Sequence, residues 1–157
     1  MDKILKLLNT DARLTAEQMA VMANMPEAEV KAAIAQLENE GVIRGYKPLI
    51  DWDKTGEEVV TAIIELSIAP TKDEGFDGIA KTIMAMDEVE GLSLMSGGHD
   101  LMVIVNGRTF KDVAMFVAKR LSSLDGVLGT ATHFVLKKYK ERGVLFTEEE
   151  QDERGIL

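Results

Sequence analysis

The spacing of apolar residues changes once along this chain of 157 residues, and that change restricts the folds available to it. Near the N-terminus the spacing is helical, as in the i, i+3, i+4, i+7 stripe of Val30, Ala33, Ile34 and Leu37. From Val59 onward, segments that alternate like strands are interleaved with helix-spaced segments. We therefore predict two domains, residues 1–50 and 59–140, with a polar linker at 51–58 and an acidic tail at 141–157.

The first domain is predicted to be a winged-type helix-turn-helix. Thr15 and Gln18 have the spacing of a capping box, which starts the second of three helices. Asn24 tolerates a left-handed turn, and Pro26 suits the first turn of the third helix. Gly41 ends that helix, and two helices joined by a short turn match the motif. Short extended pieces are predicted after it at residues 42–46 and 49–51.

The second domain is predicted to be a ferredoxin-like plait, which makes the whole chain α+β. Its predicted strands are residues 59–69, 89–96, 100–106 and 127–136. Helix-spaced segments at 76–84 and 110–121 complete the order β-α-β-β-α-β, in which both helices cover one face of an antiparallel sheet. The other face stays partly apolar, so we expect a dimer to cover it. Its apolar side chains come from one of two alternating sets, Leu101, Val103 and Val105 or Met102 and Ile104.

The composition limits the kinds of site and partner that the protein can have. The chain has no Cys, which excludes disulfides, thiolate catalysis and Cys-ligated zinc. It has no apolar run long enough for a membrane helix and no signal-peptide layout, so we expect a cytoplasmic protein without a membrane partner. The net charge of −9 argues against indiscriminate phosphate binding, although positive and negative residues are nearly balanced in the first domain.

No catalytic, cofactor or metal site is predicted. The sequence lacks a Ser-x-x-Lys or Gly-x-Ser-x-Gly element and a Walker loop, and its glycines do not form a nucleotide-binding pattern. His99 and His133 are the only histidines, and as a metal pair they would need a third ligand, for which Asp100 is best placed. Isolated histidines on strands are more often structural or exposed.

The segment SGGHD, from Ser96 to Asp100, admits two interpretations. Gly97-Gly98 is a strong signal for a two-residue hairpin turn, which needs no ligand. Glycines also let a ligand approach backbone N–H groups closely. In that interpretation Asp100 binds an α-ammonium group, and Ser96 or neighbouring N–H groups bind a carboxylate.

The third helix is the candidate DNA-reading element, although it has few cations. Gln can bond adenine, Glu can bond cytosine N4, and Ala can contact a thymine methyl group. Helix starts and polar side chains can hold phosphates. Glu27 and Glu29 repel phosphates but favour a helix N-terminus. The candidate DNA-binding residues are Thr15, Gln18, Glu27, Ala28, Lys31, Ala32, Ala35, Gln36, Arg44 and Lys47.

Four stretches, taken in order, resemble the leucine-responsive/asparagine-responsive (Lrp/AsnC) family of bacterial and archaeal regulators. They are ILKLLNTDARLTAEQMA, VKAAIAQLENEGVIRGYKPLID, LMSGGHDLMVIV and GVLGTATHFVLKKYKERG. They are similar to the family's first helices, its third helix with the Gly-Val-Ile-x-Gly-Tyr linker, its Ser-Gly-x-x-Asp hairpin and its Thr-x-Thr closing strand. The resemblance covers nearly the whole chain.

The resemblance implies a transcription regulator with a RAM-type plait domain. Such plaits form homodimers that often assemble further, here into tetramers to octamers, while the N-terminal domains bind double-stranded operator DNA. Small molecules, commonly amino acids, bind near the Gly-x-x-Asp hairpin at the interface between dimers. The effector-binding candidates that the resemblance suggests are Leu94, Ser96, Gly98, His99, Asp100, Thr130 and Thr132.

The chain departs from the family pattern at both sites. Gly98 and His99 stand where many members have an acidic or polar residue and then an aromatic one, so the ligand is expected to differ. Ala33 stands where the family usually has Arg, and Pro26 where it commonly has Ser or Thr. DNA binding is therefore expected to be weak per module, salt-sensitive and dependent on oligomerisation.

Two other functions stay open. One is a ligand-sensing or oligomerisation module that has lost strong DNA binding, which the acidic charge and the missing Arg favour. The other is an enzyme like the sirohaem decarboxylases, which share the Lrp-like architecture. Two histidines and little basic surface fit a porphyrin with many carboxylates poorly.

Overall fold

The computed structural model describes residues 2–70, 72 and 74–147. The chain divides into two compact units, with the boundary between Leu49 and Ile50. The segment predicted as a linker lies in the second unit, where Trp52–Lys54 forms a single 3₁₀ turn. The acidic run at 148–153, predicted as part of the tail, lies outside the described residues.

Three helices form the first unit, as predicted. Their bounds are α1 Asp2–Thr10, α2 Ala16–Ala23 and α3 Glu27–Asn39. The helices enclose a small core in which Ile4, Met19, Val30 and Leu37 are almost completely buried. Burial of one such side chain contributes about 1.5–3 kcal/mol. The apolar stripe of α3 is therefore what fixes this helix against α1 and α2.

Local signals set both ends of α2. The Thr15 Oγ1 atom accepts from the Gln18 N–H at 3.2 Å, and the Gln18 Oε1 atom accepts from the Thr15 N–H at 2.9 Å. These two bonds complete the predicted capping box. Asn24 follows the last residue of α2 in the left-handed conformation, with φ 54° and ψ 53°, and reverses the chain toward α3.

The segment after α3 ends the helix as predicted and contains no paired strand. Gly41 has φ +67°, and the N–H groups of Val42 and Ile43 both donate to the Leu37 carbonyl, so the helix ends where expected. Residues 42–51 form no strand, so the extended pieces predicted there do not pair with a neighbouring strand. A strand needs a neighbour for its backbone groups, and every regular element described in the first unit is a helix.

The second unit has the predicted β-α-β-β-α-β order. Its elements are β1 Val60–Ile68, α4 Asp77–Met84, β2 Val89–Leu94, β3 Leu101–Gly107, α5 Phe110–Phe116 and β4 Val127–Phe134. All strand pairs are antiparallel, and the sheet order is β2-β3-β1-β4. A π-helical turn, Val117–Leu121, continues α5. The predicted ferredoxin-like plait is therefore confirmed.

One face of the sheet packs against the helices and forms the main core. Strand β1 contributes the alternating set predicted from the sequence, Ala62, Ile64, Leu66 and Ile68. Strand β3 contributes Leu101, Val103 and Val105, which lie opposite β1 residues of the same face. The helical segments contribute Ile83, Val113, Phe116, Val117 and Leu121. The core-facing residues of both β1 and β3 are buried, which fits their place as the two central strands.

The opposite face of the sheet, turned away from this core, is called the open face. Its strand residues are Thr61, Ile63, Glu65, Ser67, Gly91, Ser93, Met102, Ile104, Asn106, Gly129, Ala131 and His133. Met102 and Ile104 are therefore the pair that points away from the helices, which decides between the two predicted sets. The open face is partly apolar, but Glu65 lies among its apolar residues.

A short hairpin follows β4. Strand β5, Lys140–Glu141, pairs with β6, Val144–Leu145, and the turn residues Arg142 and Gly143 have φ values of 46° and 87°. Two turn residues with positive φ suit the twist of a tight hairpin. Ordered structure thus extends past residue 141, where the acidic tail is predicted to begin. In the part of the chain that the structure describes, no helix combines the length and apolarity that a membrane crossing requires.

Candidate functional site

The candidate DNA-reading residues of α3 share one exposed side of the helix. They are Glu27, Ala28, Lys31, Ala32, Ala35 and Gln36, all exposed. Val30 and Leu37 lie on the opposite side and are buried. Ala33 is half-buried against the same core, so its side chain does not belong to the exposed side. The structure thus brings six of the ten predicted DNA-binding residues together on one surface, the α3 face.

The polar groups of the α3 face are partly bonded to one another. The Lys31 Nζ atom lies 2.6 Å from the Glu27 Oε1 atom, one helical turn away. This hydrogen bond and the Glu27 charge raise the pKa of Lys31. Gln36 Nε2 donates to Glu40 Oε1 at 2.7 Å. The α3 face therefore presents close to no net charge at Lys31. The pairing of Lys31 with Glu27 was not predicted from the sequence.

The other four candidates lie before and after α3 along the chain. Thr15 and Gln18 are exposed. However, the Thr15 hydroxyl and the Gln18 side-chain carbonyl already accept the two capping-box hydrogen bonds at the start of α2. Arg44 is exposed and its guanidinium lies over Gly41, where an added Cβ would come within 3.2 Å of Cζ. Lys47 is exposed in the same segment. The cations other than Lys31 thus come from the segment that follows α3.

Tyr46 bonds this segment to α3, and this contact was not predicted from the sequence. Its hydroxyl donates to the Glu38 Oε1 atom at 3.0 Å. Partial burial raises the pKa of Tyr46, and the hydrogen bond and charge of Glu38 raise it further. The contact joins residues eight positions apart and follows no helical or strand interval. In the sequence, the one signal at this position is the Gly45-Tyr46 pair of the linker that resembles the family's.

An exposed apolar surface on α2 was also missed. Val21 and Met22 are 79% and 59% exposed, and together with Leu14 they border a shallow concave surface beside Gln18. Helical spacing identified the buried side of α2 through Met19 and Ala23. It carries no information about an exposed side that is also apolar.

The loop after β2 is longer than the predicted two-residue turn. The last ladder pair is Leu94 with Leu101, and the Met95 N–H donates to the Asp100 carbonyl at 2.8 Å, leaving four residues in the turn. Gly97 has φ +147°, which glycine tolerates. Gly97-Gly98 therefore lie within a wider loop, residues 95–100, and the prediction of a tight hairpin is wrong.

Asp100 is the reason for the wider loop. Its N–H donates to the Leu66 carbonyl at 2.9 Å, and its Oδ2 atom accepts from the Ile68 N–H at 2.7 Å. The β1–β3 ladder ends at the pair Leu66 and Leu101, so the Ile68 N–H, which points to the same side of β1, takes a side-chain acceptor in place of a strand partner. Asp100 thus anchors the loop to β1, a structural role in addition to the predicted ligand role.

The effector candidates gather at one end of the sheet without being enclosed by this chain alone. Thr130 pairs with Leu66 and Thr132 with Ile64, so β4 places them across β1 from Asp100. Their side chains share the face of these core residues. Leu94, Ser96 and Gly98 are exposed, whereas His99 and Asp100 are half-buried. The loop and the β4 threonines therefore flank the same stretch of β1.

Both histidines contact one carboxylate on the open face. The Glu65 Oε2 atom lies 3.2 Å from His99 Nδ1 and 3.3 Å from His133 Nε2. The third residue beside the two histidines is therefore Glu65, whereas Asp100, the predicted third ligand, bonds to Ile68. No set of three or more His, Asp and Glu arranged to hold a metal occurs in the described residues. Glu65 was missed because strand alternation alone does not show which cross-strand neighbours it meets.

Two family models match the chain, and they divide it as the fold does. Residues 3–44 match a winged helix-turn-helix DNA-binding model. Residues 61–145 match the Lrp/AsnC ligand binding domain. The chain is 45% identical over 156 residues to the uncharacterized HTH-type transcriptional regulator YugG of Bacillus subtilis, covering 99% of this chain and 94% of that protein. It is 31% identical over 140 residues to a regulator from Pyrococcus abyssi, covering 89% of this chain and 85% of that protein.

Solved structures agree with the sequence comparisons. The transcriptional regulator NMB0573 from Neisseria meningitidis, in its complex with L-Met, superposes with a TM-score of 0.73 at 26% identity, over 88% of this chain and 89% of that one. AsnC of E. coli superposes with a TM-score of 0.70 over 90% of this chain and 93% of that one, and at 18% identity this shows the shared fold alone. The resemblance found in the sequence is confirmed: the chain belongs to the Lrp/AsnC family of helix-turn-helix transcriptional regulators.

Proposed function

We propose that the protein binds operator DNA through the α3 face, assembles through the open face, and responds to an amino acid or a related small molecule at the 95–100 loop. The observation that carries the proposal is the α3 face itself, an exposed row of small and polar side chains backed by a buried stripe. Small and polar groups on a helix surface are what base readout in a major groove requires. We place the protein in the cytoplasm, together with the DNA.

The α3 face suits base contacts better than phosphate contacts. Gln36 offers an amide to adenine, and the exposed alanines offer methyl groups to thymine. No side chain caps the start of α3, so its first N–H groups are not taken by a capping oxygen and suit a phosphate. To contact a phosphate, Lys31 must first leave Glu27. This costs little, because exposed ion pairs are weak.

A second copy of the chain is the partner that the open face suits. Ile63, Met102, Ile104 and Ala131 give this face apolar area, which soluble proteins usually cover. A two-fold axis would place the same patch of both copies together. Further association into tetramers or octamers would bring exposed loop residues such as Leu94 and Ser96 against a neighbouring dimer and enclose an effector.

The 95–100 loop has the groups that an amino acid needs. Asp100 uses its Oδ2 atom for Ile68 and keeps a negative charge for an α-ammonium group. Ser96 and backbone N–H groups supply donors for a carboxylate. The effector candidates from the sequence are proposed unchanged: Leu94, Ser96, Gly98, His99, Asp100, Thr130 and Thr132. The L-Met complex of the Neisseria relative supports an amino acid as the ligand class.

The test of DNA binding is fluorescence anisotropy with DNA from upstream of the protein's own gene. Lys31, Arg44 and Lys47 are the cations among the candidate DNA-binding residues, and about three phosphate contacts predict a roughly 40-fold loss of affinity between ~50 and ~200 mM salt. Glu27→Gln should tighten binding because it releases Lys31, and Lys31→Ala should weaken it. Lys111→Ala, on α5, is the matched control and should leave affinity unchanged.

A second candidate function is a ligand-sensing module without strong DNA binding. The observation that favours it is that two of the candidate cations already have contacts within the chain. Lys31 pairs with Glu27, and the Arg44 guanidinium lies over Gly41. This alternative predicts no preference for upstream DNA over random DNA even at ~50 mM salt. A thermal-shift screen of the twenty amino acids would still give a hit. An enzyme of the sirohaem-decarboxylase kind would instead show a Soret band when haem is added.

A further inference from the structure

The Glu65 carboxylate is held between the chain's two histidines, His99 and His133. Its Oε2 atom is within 3.3 Å of one ring nitrogen from each of them. Glu65 is on β1, His133 on the neighbouring β4, and His99 in the 95–100 loop. We call these three residues the Glu65 cluster. In the single chain the three side chains are between 39% and 61% exposed, so anything that covers the open face changes their surroundings.

The cluster lies among uncharged neighbours. Cross-strand partners of Glu65 are Met102 on β3 and Ala131 on β4, and His133 lies opposite Ile63. The remaining strand positions of the open face carry no titratable side chain. Charged residues stand at the edge strand or just beyond the strand ends, among them Glu88, Glu90, Asp100, Arg108 and Lys137. Asp100 follows His99 in the chain, and its Oδ2 atom accepts from the Ile68 N–H. A second copy would bring the same groups to the interface.

We propose that pairing of two copies through the open face is coupled to the uptake of a proton by the Glu65 cluster. The inference rests on the assembly proposed above and adds its regulation by pH. The chemistry is that of a carboxylate that loses water when the second copy covers it. An uncompensated carboxylate is costly to bury, whereas a carboxylate beside one imidazolium is a neutral, hydrogen-bonded unit.

The direction of the pH effect follows from counting charges on the cluster. With both imidazoles neutral the cluster carries one negative charge, with one protonated it is neutral, and with both protonated it carries one positive charge. Histidine titrates between about pH 5 and 8. Two-fold symmetry brings two clusters to one interface, so like charges meet at either extreme. The dimer therefore favours the singly protonated cluster. Near pH 8 it binds more protons than two monomers do, so association tightens as the pH falls below 8.

The same count predicts a reversal at lower pH. Once the second imidazole of each cluster is protonated, two positive clusters meet at the interface and association weakens. Tightest pairing is therefore expected at mildly acidic pH. A general loss of negative charge on an acidic protein would also favour association on acidification, but it would act equally on variants of Glu65 and would give no reversal.

The test is sedimentation velocity of the full chain from pH 8.0 to pH 5.0 at constant salt and with EDTA. The dimer dissociation constant should fall about tenfold from pH 8.0 to about pH 6.5 and rise again toward pH 5.0. Glu65→Gln should reverse the first trend, because its cluster is neutral at pH 8.0 and becomes positive on acidification. His99→Gln combined with His133→Gln should remove the minimum of the dissociation constant at about pH 6.5 and leave only the general charge effect. The control Glu29→Gln, an exposed acid on α3, should behave like the unmodified chain.

The outcomes separate the inference from the proposal on which it rests. A dimer whose dissociation constant is the same at all pH values, or a Glu65→Gln profile that matches the unmodified chain, overturns proton-coupled pairing and leaves the assembly standing. A chain that stays monomeric at tens of micromolar across the whole pH range overturns the assembly itself.

Discussion

Removing the Asp100 side chain should destabilise the second unit and leave the first unit unchanged. Asp100 Oδ2 accepts from the Ile68 N–H at 2.7 Å in a half-buried position, and β1 is a central strand. A hydrogen bond to a charged group is worth about 1.5–3 kcal/mol, and Asp100→Ala also leaves the Ile68 N–H without this acceptor. We expect the free energy of unfolding to fall by about 2 kcal/mol.

Urea unfolding followed by tryptophan fluorescence measures this loss directly. The single tryptophan, Trp52, lies in the second unit, so its emission reports that unit separately. Since m is about 2 kcal/mol/M for a unit of this size, the midpoint should move down by about 1 M. Asp87→Ala, an exposed acid in the same unit, is the matched control. If Asp100→Ala moves the midpoint no further than the control, Asp100 does not anchor the loop.

Asp100→Asn separates anchoring from effector binding. Asparagine keeps an oxygen that accepts from Ile68 but lacks the charge that an α-ammonium group needs. The variant should therefore recover most of the stability lost in Asp100→Ala and still lose any thermal shift caused by an amino acid. A full ligand-induced shift in Asp100→Asn would show that the carboxylate does not bind the effector.

Three further predictions concern the first unit. Thr15→Ala removes the capping-box acceptor of α2 and should lower stability by about 1 kcal/mol, as followed by circular dichroism, whereas Thr15→Ser should be nearly neutral. Leu37→Ala opens a cavity in the small core and should lower the free energy of unfolding by about 2–5 kcal/mol. The expected result is a loss of the helical circular dichroism signal at ordinary temperature. A decrease of less than about 1 kcal/mol would contradict the packing. Glu38→Gln should lower the raised pKa of Tyr46, which shifts one phenol transition to lower pH in an absorbance titration. Because the neutral phenol is the bonded form, its contribution to folding is complete below pH ~10 and is lost as the pH rises through the raised pKa.

Much of the fold was accessible from the sequence because it depends on spacing within one segment. The β1 set of Ala62, Ile64, Leu66 and Ile68 alternates in the sequence and is buried in the structure. The α3 stripe and the capping box at Thr15 behave in the same way. These signals are local, since a side chain's face follows from its position within its own helix or strand.

The errors arose where a segment's conformation depends on what lies next to it. Residues 42–51 have a composition that suits extended backbone, but a strand also needs a partner, and they are paired with none. Gly97-Gly98 suits a tight turn, but the bonds from Asp100 to β1 widen the loop. Local preference is worth too little to override such contacts.

The family, the two domain types, the order of helices and strands, and the exposed side of α3 can all be read from the sequence, because they follow from periodicity and motif. Contacts between polar groups that are far apart in the sequence depend instead on the tertiary fold. The Glu65 cluster joins β1, β4 and the 95–100 loop, and His133 is 68 residues from Glu65 along the chain. Asp100 reaches Ile68 across 32 residues, at the point where the β1–β4 register shifts. Strand register and loop path set these distances, and both result from packing of the whole sheet.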